Sequence, residues 1–359
     1  MVCIKKETES VPASRYLSDS VTLPLQALYQ SEGVQVIRGF LERFEATGVV
    51  CIEESIARWL NNNREAFPCS TAFWVPPNQI IENVISKGKQ IEVARKVGLK
   101  VLPTYLISKD RQHVNSISDK HFPLCLRPII PGKIKPSFKV RLIYSAAELK
   151  QCIDSLKEMK VPLIAQPFMN LPNLVIHGAR TIMGTTIGMQ AFLVKRKFEG
   201  VTLTIHPTTL DEGLREKCIE FTNKLNVLGN YHFEFLIDQT TNSTYFLELN
   251  NRLGGTTAKV YACGYDEPLL SLLAYGIKGQ CHWEIENITV SSKQALLKYL
   301  YNTLTNGLTP LDYPMEPKLV RTLNTLLGLL SYRDDVFSFS DMRGSLAIYA
   351  GNLKNKLKR

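Results

Sequence analysis

Apolar positions change period several times along this chain, and each change predicts an element. Val34, Val36, Ile37, Phe40, Leu41 and Phe44 fall at helical spacing. The run from Gly48 to Ile52 is continuous and short, as in a buried strand, and Ile56 to Leu60 opens another helix. Strand and helix in alternation predict an α/β layer with a parallel sheet. Only one strand-like run, Val2 to Lys5, precedes Ser14, and no glycine-rich turn follows it. Residues 1–85 therefore read as a partial α/β domain lacking its opening strand and turn.

From Ser86 the pattern changes. Ser86 is placed to cap a helix whose stripe is Ile91, Ala94 and Val97, and Gly98 to end it before an extended stretch from Leu99 to Ile107. Pro103 suits an edge position or the first residue of a strand. A strand at Phe122 to Arg127, an amphipathic helix at Ala146 to Met159 and an apolar run at Val161 to Ala165 follow. Thr181 to Leu193 and Val201 to Ile205 look like paired strands, and Glu212 to Leu225 like a helix. Residues 291–359 read as a mainly helical appendage.

The stretch from Gly229 to Gly255 carries the chemistry. Phe233, Phe235 and Ile237 alternate with His232, Glu234 and Leu236, and after a turn-rich segment a second strand runs from Tyr245 to Asn250. If the hairpin closes with Asp238 opposite Thr244, Glu234 lies directly across from Glu248, and Asn250 shares their face. Two carboxylates opposed across a ladder repel, so the arrangement is destabilising unless a cation lies between them. Mg²⁺ takes hard oxygen ligands, one or two of them carboxylates, with phosphate oxygens completing its shell. The competing reading is a solvated face whose glutamates pair with lysines elsewhere, and Glu248 among Phe246, Leu247 and Leu249 fits that poorly.

Composition narrows the class. The 359 residues favour two or three packed units, and 45% hydrophobic with 21% charged residues is a globular composition. Apolar stretches such as Leu323 to Leu330 fall far short of the roughly 18 to 20 residues of a membrane span. Residues 1–10 have no signal-like apolar core, which makes a cytoplasmic location the default. The eight cysteines form no C-x-x-C pair, excluding a zinc or disulfide framework as the organising feature. The net charge of +10 is diffuse, with dense clusters only at Lys195 to Lys197 and Lys354 to Arg359. That suits a site for phosphates and carboxylates better than a nucleic-acid face.

The run F-E-F-x-x-D followed by Y-F-L-E-L-N-x-R-L-G-G resembles the metal-binding hairpin of the ATP-grasp superfamily, which includes the carbamoyl-phosphate synthetase large subunit and D-alanine-D-alanine ligase. The resemblance spans roughly residues 14–290 and is nearest to predicted carboxylate-amine ligases. It implies an α+β ATP-grasp fold over residues 86–290, with subdomains 86–165 and 166–290 clamping ATP. It also implies Glu234, Glu248 and Asn250 as ligands of Mg²⁺ (or Mn²⁺), and Arg252 as the catalytic residue against an acyl phosphate. Arginine suits that task because its planar fork donates in parallel to phosphate or carboxylate oxygens.

Further upstream, Lys87, with Lys89 as its rival, and Arg127 resemble the family's phosphate-contacting cations. V-P-L-I-A-Q-P-F-M-N resembles the adenine hinge: the Pro167 carbonyl would accept from the adenine amino group, Met169 N–H would donate to the ring, and Gln166 flanks them. Asn173 falls where the family has a glutamate for the ribose. The glycine-rich phosphate flap is replaced by Ile129 to Ser137, with one glycine and two prolines, so that either Lys133 and Lys135 supply the charge or the lid is reduced.

The implied reaction uses ATP to phosphorylate a carboxylate and then transfers the acyl group to an amine. Its partners are small carboxylates and amines, with no membrane, and a homodimer is left open. His177 and Arg180, read as a loop facing the cleft, and Gly254 and Gly255 are expected to contact substrate. Two other classes remain: a non-catalytic nucleotide sensor of the same fold, and a basic scaffold or nucleic-acid-binding protein.

Overall fold

A computed structural model describes residues 2–6, 13–110, 114, 117–281 and 284–357; Lys358 and Arg359 of the basic tail lie outside the described residues. The N-terminal part carries two short parallel ladders. β1 (Val2–Lys6) pairs with β2 (Asp19–Leu23). After α1 (Leu25–Leu28) and α2 (Ser31–Arg43), β3 (Gly48–Val50) pairs with β4 (Ala72–Trp74) across α3 (Glu54–Asn62). Ile37 and Leu41 of α2 and Ala57, Trp59 and Leu60 of α3 meet Phe67, Val75 and Ile81 in one small core. β2 escapes the sequence pattern because Asp19 and Ser20 break its apolar run.

Next come α4 (Asn78–Ile85) and α5 (Lys87–Lys96), the latter capped by the Ser86 hydroxyl, with Gly98 at φ +73° ending it as expected. β5 (Lys100–Val101) and β6 (Tyr105–Ile107) follow, and Pro103 sits in the link between them, where its missing N–H breaks neither ladder. β7 (Leu124–Pro128), β8 (Ile134–Lys135), β9 (Arg141–Ile143), α6 (Ala146–Asp154), β10 (Glu158–Met159) and β11 (Leu163–Pro167) complete the smaller lobe. Its four-stranded sheet runs β6-β11-β7-β9. The helix expected through Met159 stops at Asp154, because Glu158 and Met159 pair with β8 instead.

The larger lobe contains β12 (Asn173–Arg180), β13 (Thr186–Phe198), β14 (Val201–Thr208), α7 (Glu212–Lys224), β15 (Gly229–Asp238), β16 (Ser243–Asn250), α8 (Thr257–Ala262) and α9 (Glu267–Ala274). Then follow β17 (Val290–Ser291), α10 (Lys293–Leu304), α11 (Lys318–Ser331), β18 (Arg333–Asp334) and α12 (Met342–Leu357). An eight-stranded sheet in the order β18-β17-β14-β13-β12-β15-β16-β5 is antiparallel except at its two edges, β16 with β5 and β17 with β18. The strand expected from Thr181 begins only at Thr186, since Thr181 N–H donates to Thr185 O and closes a turn.

The expected division at 165 and 166 falls inside β11, and α5 and β5 pack with the larger sheet rather than the smaller one. Their Ala94, Val97 and Leu99 share a core with Phe221, Phe233, Phe235 and Phe246. Phe221, Phe233 and Phe246 have ring centroids 5.2–6.3 Å apart, and each buried ring is worth about 1.5–3 kcal/mol of hydrophobic transfer. This aromatic layer fixes one face of β15 and β16 and leaves their other face for polar side chains. Among the described residues no helix is long and apolar enough to cross a membrane.

Candidate ATP and metal site

The hairpin places its acids as expected by a different route. Asp238 pairs with Ser243 and Ile237 with Thr244, one residue tighter than expected, because the Asp238 carboxylate accepts from Thr240 N–H (3.0 Å) and the Thr240 and Thr241 hydroxyls (2.6 and 2.7 Å). Those three donors hold Asp238 down at about 2. A bulge at Leu247 then takes up one residue between Phe246 and Glu248. Beyond it Glu234 lies opposite Glu248, with Asn250 opposite His232.

Cations converge on this pair from the smaller lobe and from α5. Lys87, the first residue of α5, donates to Glu248 Oε2, and Arg127 Nη1 of β7 lies 3.5 Å from the same oxygen. Arg127 Nη2 donates to Gln166 Oε1 (2.8 Å), and Gln166 Nε2 to Thr104 (3.0 Å), which ties β7, β11 and the β5–β6 link together. Lys89 points elsewhere, to Asn83 Oδ1 at 3.0 Å, so of the two lysines Lys87 is the one that reaches Glu248. Asn250 Nδ2 donates to Glu248 Oε1 at 3.2 Å. Asn173 Nδ2 lies 3.4 Å from Glu234 Oε2, and Lys197 Nζ donates to Leu171 O (2.8 Å) and Asn173 Oδ1 (3.2 Å).

The charges are unequal in their support. Burial works against ionised Glu248, but Lys87 and Arg127 outweigh it and hold this carboxyl down at about 2. Glu234 is pushed up to about 7, first by burial and then by the charge of Glu248. Burial also draws the Lys197 ammonium down to about 8. A glutamate–lysine pair therefore does form, yet it neutralises one acid and leaves the other under-compensated.

That asymmetry predicts a pH dependence. A carboxyl whose folded value is raised stabilises the fold fully below about pH 4.5 and loses that contribution as pH rises through about 7. In chelator, that loss should offset between about pH 4.5 and 7 the rise in thermal midpoint that the lowered His232 brings, and Glu234→Gln should remove the loss and leave the rise. Differential scanning calorimetry checks both outcomes.

His177 and Arg180 do not face the cleft. They lie in β12, not in a loop, because Asn173 to Arg180 pairs along its length with β15. His177 is fully buried: Nδ1 lies 2.9 Å from Glu267 Oε1, Nε2 bonds the Thr256 hydroxyl (3.1 Å), and its ring stacks on His232 at 5.3 Å. Glu267 also accepts from Thr257 (2.6 Å), so both His177 nitrogens and the carboxylate have partners within the protein, while His232 Nδ1 is buried without one. Burial and then His177 draw His232 down to about 4, which keeps it neutral beside Glu234. Arg180 donates to Asn223 Oδ1 and Val227 O, each at 2.9 Å, bolting the strand end to the end of α7.

The two glycines differ. A Cβ at Gly254 would sit 2.4 Å from His232 Cε1, so this loop needs glycine to pass the ring, whereas one at Gly255 meets nothing within 4 Å. Arg252 Nε donates to Glu54 Oε1 at 2.6 Å, linking the hairpin to α3. Around this pair a small cleft is lined by Val50, Glu53, Trp74, Asn251 and Tyr275. At the hinge, Phe168 N–H donates to Pro123 O (2.8 Å), leaving Pro167 and Met169 on either side of that anchor.

The flap segment is pinned. Ile134 is buried, Lys160 N–H donates to Lys133 O (3.0 Å), and the exposed Lys135 ammonium turns to Glu158 at 2.8 Å. The basic cluster splits as well. Lys195 is exposed, Arg196 is buried against the Tyr299 ring, and Lys197 reaches Asn173, so it makes no continuous cationic patch for nucleic acid. Lys197, Glu54 and His232 are the polar neighbours that the sequence reading missed. For Lys197 the period-two alternation that separates it from Arg196 was the available signal.

Comparison with known proteins bears on the same elements. The family "Carbamoyl-phosphate synthase L chain, ATP binding domain" matches residues 202–266, which include Glu234, Glu248, Asn250 and Arg252. No curated protein matches the sequence significantly. Among solved structures, the ADP complex of purK, N5-carboxyaminoimidazole ribonucleotide synthetase, is similar over 84% of this chain and 79% of its own, with 12% identity and a TM-score of 0.61. L-amino acid ligase from Bacillus licheniformis is similar over 76% and 67%, with 18% identity and a TM-score of 0.55. The biotin carboxylase ATP-analogue complex from Campylobacter jejuni is similar over 80% and 68%, with 16% identity and a TM-score of 0.59.

Proposed function

Because the chain has the ATP-grasp fold, we propose that it is an ATP- and magnesium-dependent ligase, which phosphorylates a substrate carboxylate and transfers the acyl group to an amine, releasing ADP and phosphate. One observation carries the proposal: Glu234 and Glu248 face each other across β15 and β16, with Lys87 and Arg127 converging on the same point. The donor set fits a hard divalent cation. It offers two carboxylates and an amide whose oxygen faces them once the Asn250 side chain flips, and Glu234 lacks a full counter-charge. Magnesium held there supplies charge neutralisation to the phosphates.

The chain's own residues would do the rest. Lys87 and Arg127 hold the transferred phosphate in line, the Pro167 carbonyl and Met169 N–H read adenine with Gln166 beside them, and Asn173, steadied by Lys197, meets the ribose. Arg252 stabilises charge on the acyl phosphate. Its contact with Glu54 supports a reading in which the carboxylate enters the adjoining cleft and competes with Glu54 for the guanidinium. Arg252→Lys, which keeps charge but loses the fork, is expected to lower kcat by about 10²-fold while sparing the KM for ATP, as steady-state kinetics would reveal.

A phosphate-release screen with ATP, Mg²⁺ and paired carboxylates and amines tests the proposal. Release that needs both partners is expected; failure of every pair to exceed ATP alone would sink it. The pinned flap favours one second reading, a nucleotide sensor of the same fold. It predicts Mg²⁺-dependent ATP binding with no ADP formed.

A further inference from the structure

α11 buries only one side. Thr325 and Gly328 are buried and Leu329 packs towards Phe198 and Tyr299, while Leu319, Leu323, Leu326 and Leu330 are exposed on the opposite side. Leu330 is 84% exposed and Leu319 71%, and Val320 and Leu327 widen the strip. Such a surface is unfavourable in water and marks an interface.

The spacing of the row states what can cover it. Positions 319, 323, 326 and 330 are separated by four, three and four residues, the a/d spacing of a coiled-coil seam, which an antiparallel copy of the same helix can match. The face is also uncharged. Lys318 turns its ammonium back to Leu304 O (2.6 Å) and Asn306 Oδ1 (3.2 Å), and Arg321 is only partly exposed. A chain of net charge +10 that keeps this strip free of charge avoids like-charge repulsion across a twofold, and gives an acidic partner or anionic lipid nothing to grip. The α10 residues Leu297, Tyr301 and Leu304 are exposed as well.

We infer that the occupant is a second copy of this chain, joined through the exposed row of α11 about a twofold axis. The inference does not depend on the ligase reading.

Size exclusion with multi-angle light scattering on the full chain tests it. The parent is expected at twice 40.5 kDa, and Leu323→Glu/Leu326→Glu at 40.5 kDa with unchanged circular dichroism. Both positions are solvent-exposed in the protomer, so the variant keeps its fold. Leu323→Ile/Leu326→Met, which keeps the row apolar, is expected to retain the doubled mass. A parent that stays at 40.5 kDa at every concentration overturns the inference, as does a double-glutamate variant that keeps the doubled mass. Flotation of a monomeric parent with phosphatidylcholine vesicles would also overturn it, assigning the face to lipid.

Discussion

Glu248→Gln should lower Mg²⁺-dependent ADP formation by about 10³-fold, equivalent to ~4 kcal/mol of transition-state stabilisation, while the protein stays folded. Glutamine fills the same volume and can still bond to Lys87, Arg127 and Asn250, so the contacts that join α5, β7 and β16 persist. What disappears is the negative charge that balances two cations and, with Glu234, would hold the metal. Coupled ADP detection reports the activity, and circular dichroism reports the fold. ADP formation at the parent rate would remove the metal assignment.

The second large effect concerns stability and comes from a correction. His177→Ala should destabilise the fold by about 3–5 kcal/mol, because it strips a fully buried Glu267 of its main partner. Thr257 and Asn230 would still donate to that carboxylate, at 2.6 and 3.3 Å, but neither fills the place of the ring beside it. Chemical denaturation measures the loss. The KM of the folded variant for ATP should match the parent's, since the ring lies behind His232 and away from the nucleotide side. A changed KM with unchanged stability would restore the substrate role that the sequence suggested.

These two residues show what a sequence can reveal here. Glu234 and Glu248 were legible because strand alternation fixes side-chain parity within each strand, and two one-residue departures from the expected pairing cancel. The turn is in fact one residue tighter than alternation implies, and the Leu247 bulge restores the register. A bulge has no periodic signature, so nothing in the pattern announced it. His177, by contrast, depends on Glu267, ninety positions away, and a histidine before Gly178-Ala179-Arg180 resembles a loop. The preceding Leu174, Val175 and Ile176 already spelled a buried strand that continues through it.

Long-range contacts account for most of what was missed. The Glu54 partner of Arg252 lies in another part of the chain, and β17 and β18 are each two residues long, too short for alternation to mark. Lys195 to Lys197 resembled a basic patch because composition counts charges without faces; the strand separates them. The flap departure, in contrast, was visible directly. Its consequence, Lys135 drawn to Glu158, needed the pairing of β8 with β10.

The central claim is that the opposed carboxylates are tolerated because metal and nucleotide bridge them. Calorimetric titration of a non-hydrolysable ATP analogue, in Mg²⁺ and in chelator, tests it most directly on the parent and on Glu234→Gln/Glu248→Gln. Tight binding to the parent only when Mg²⁺ is present, and none above background to the double variant, is the expected result. Equal affinity for both proteins, or binding indifferent to Mg²⁺, would contradict it.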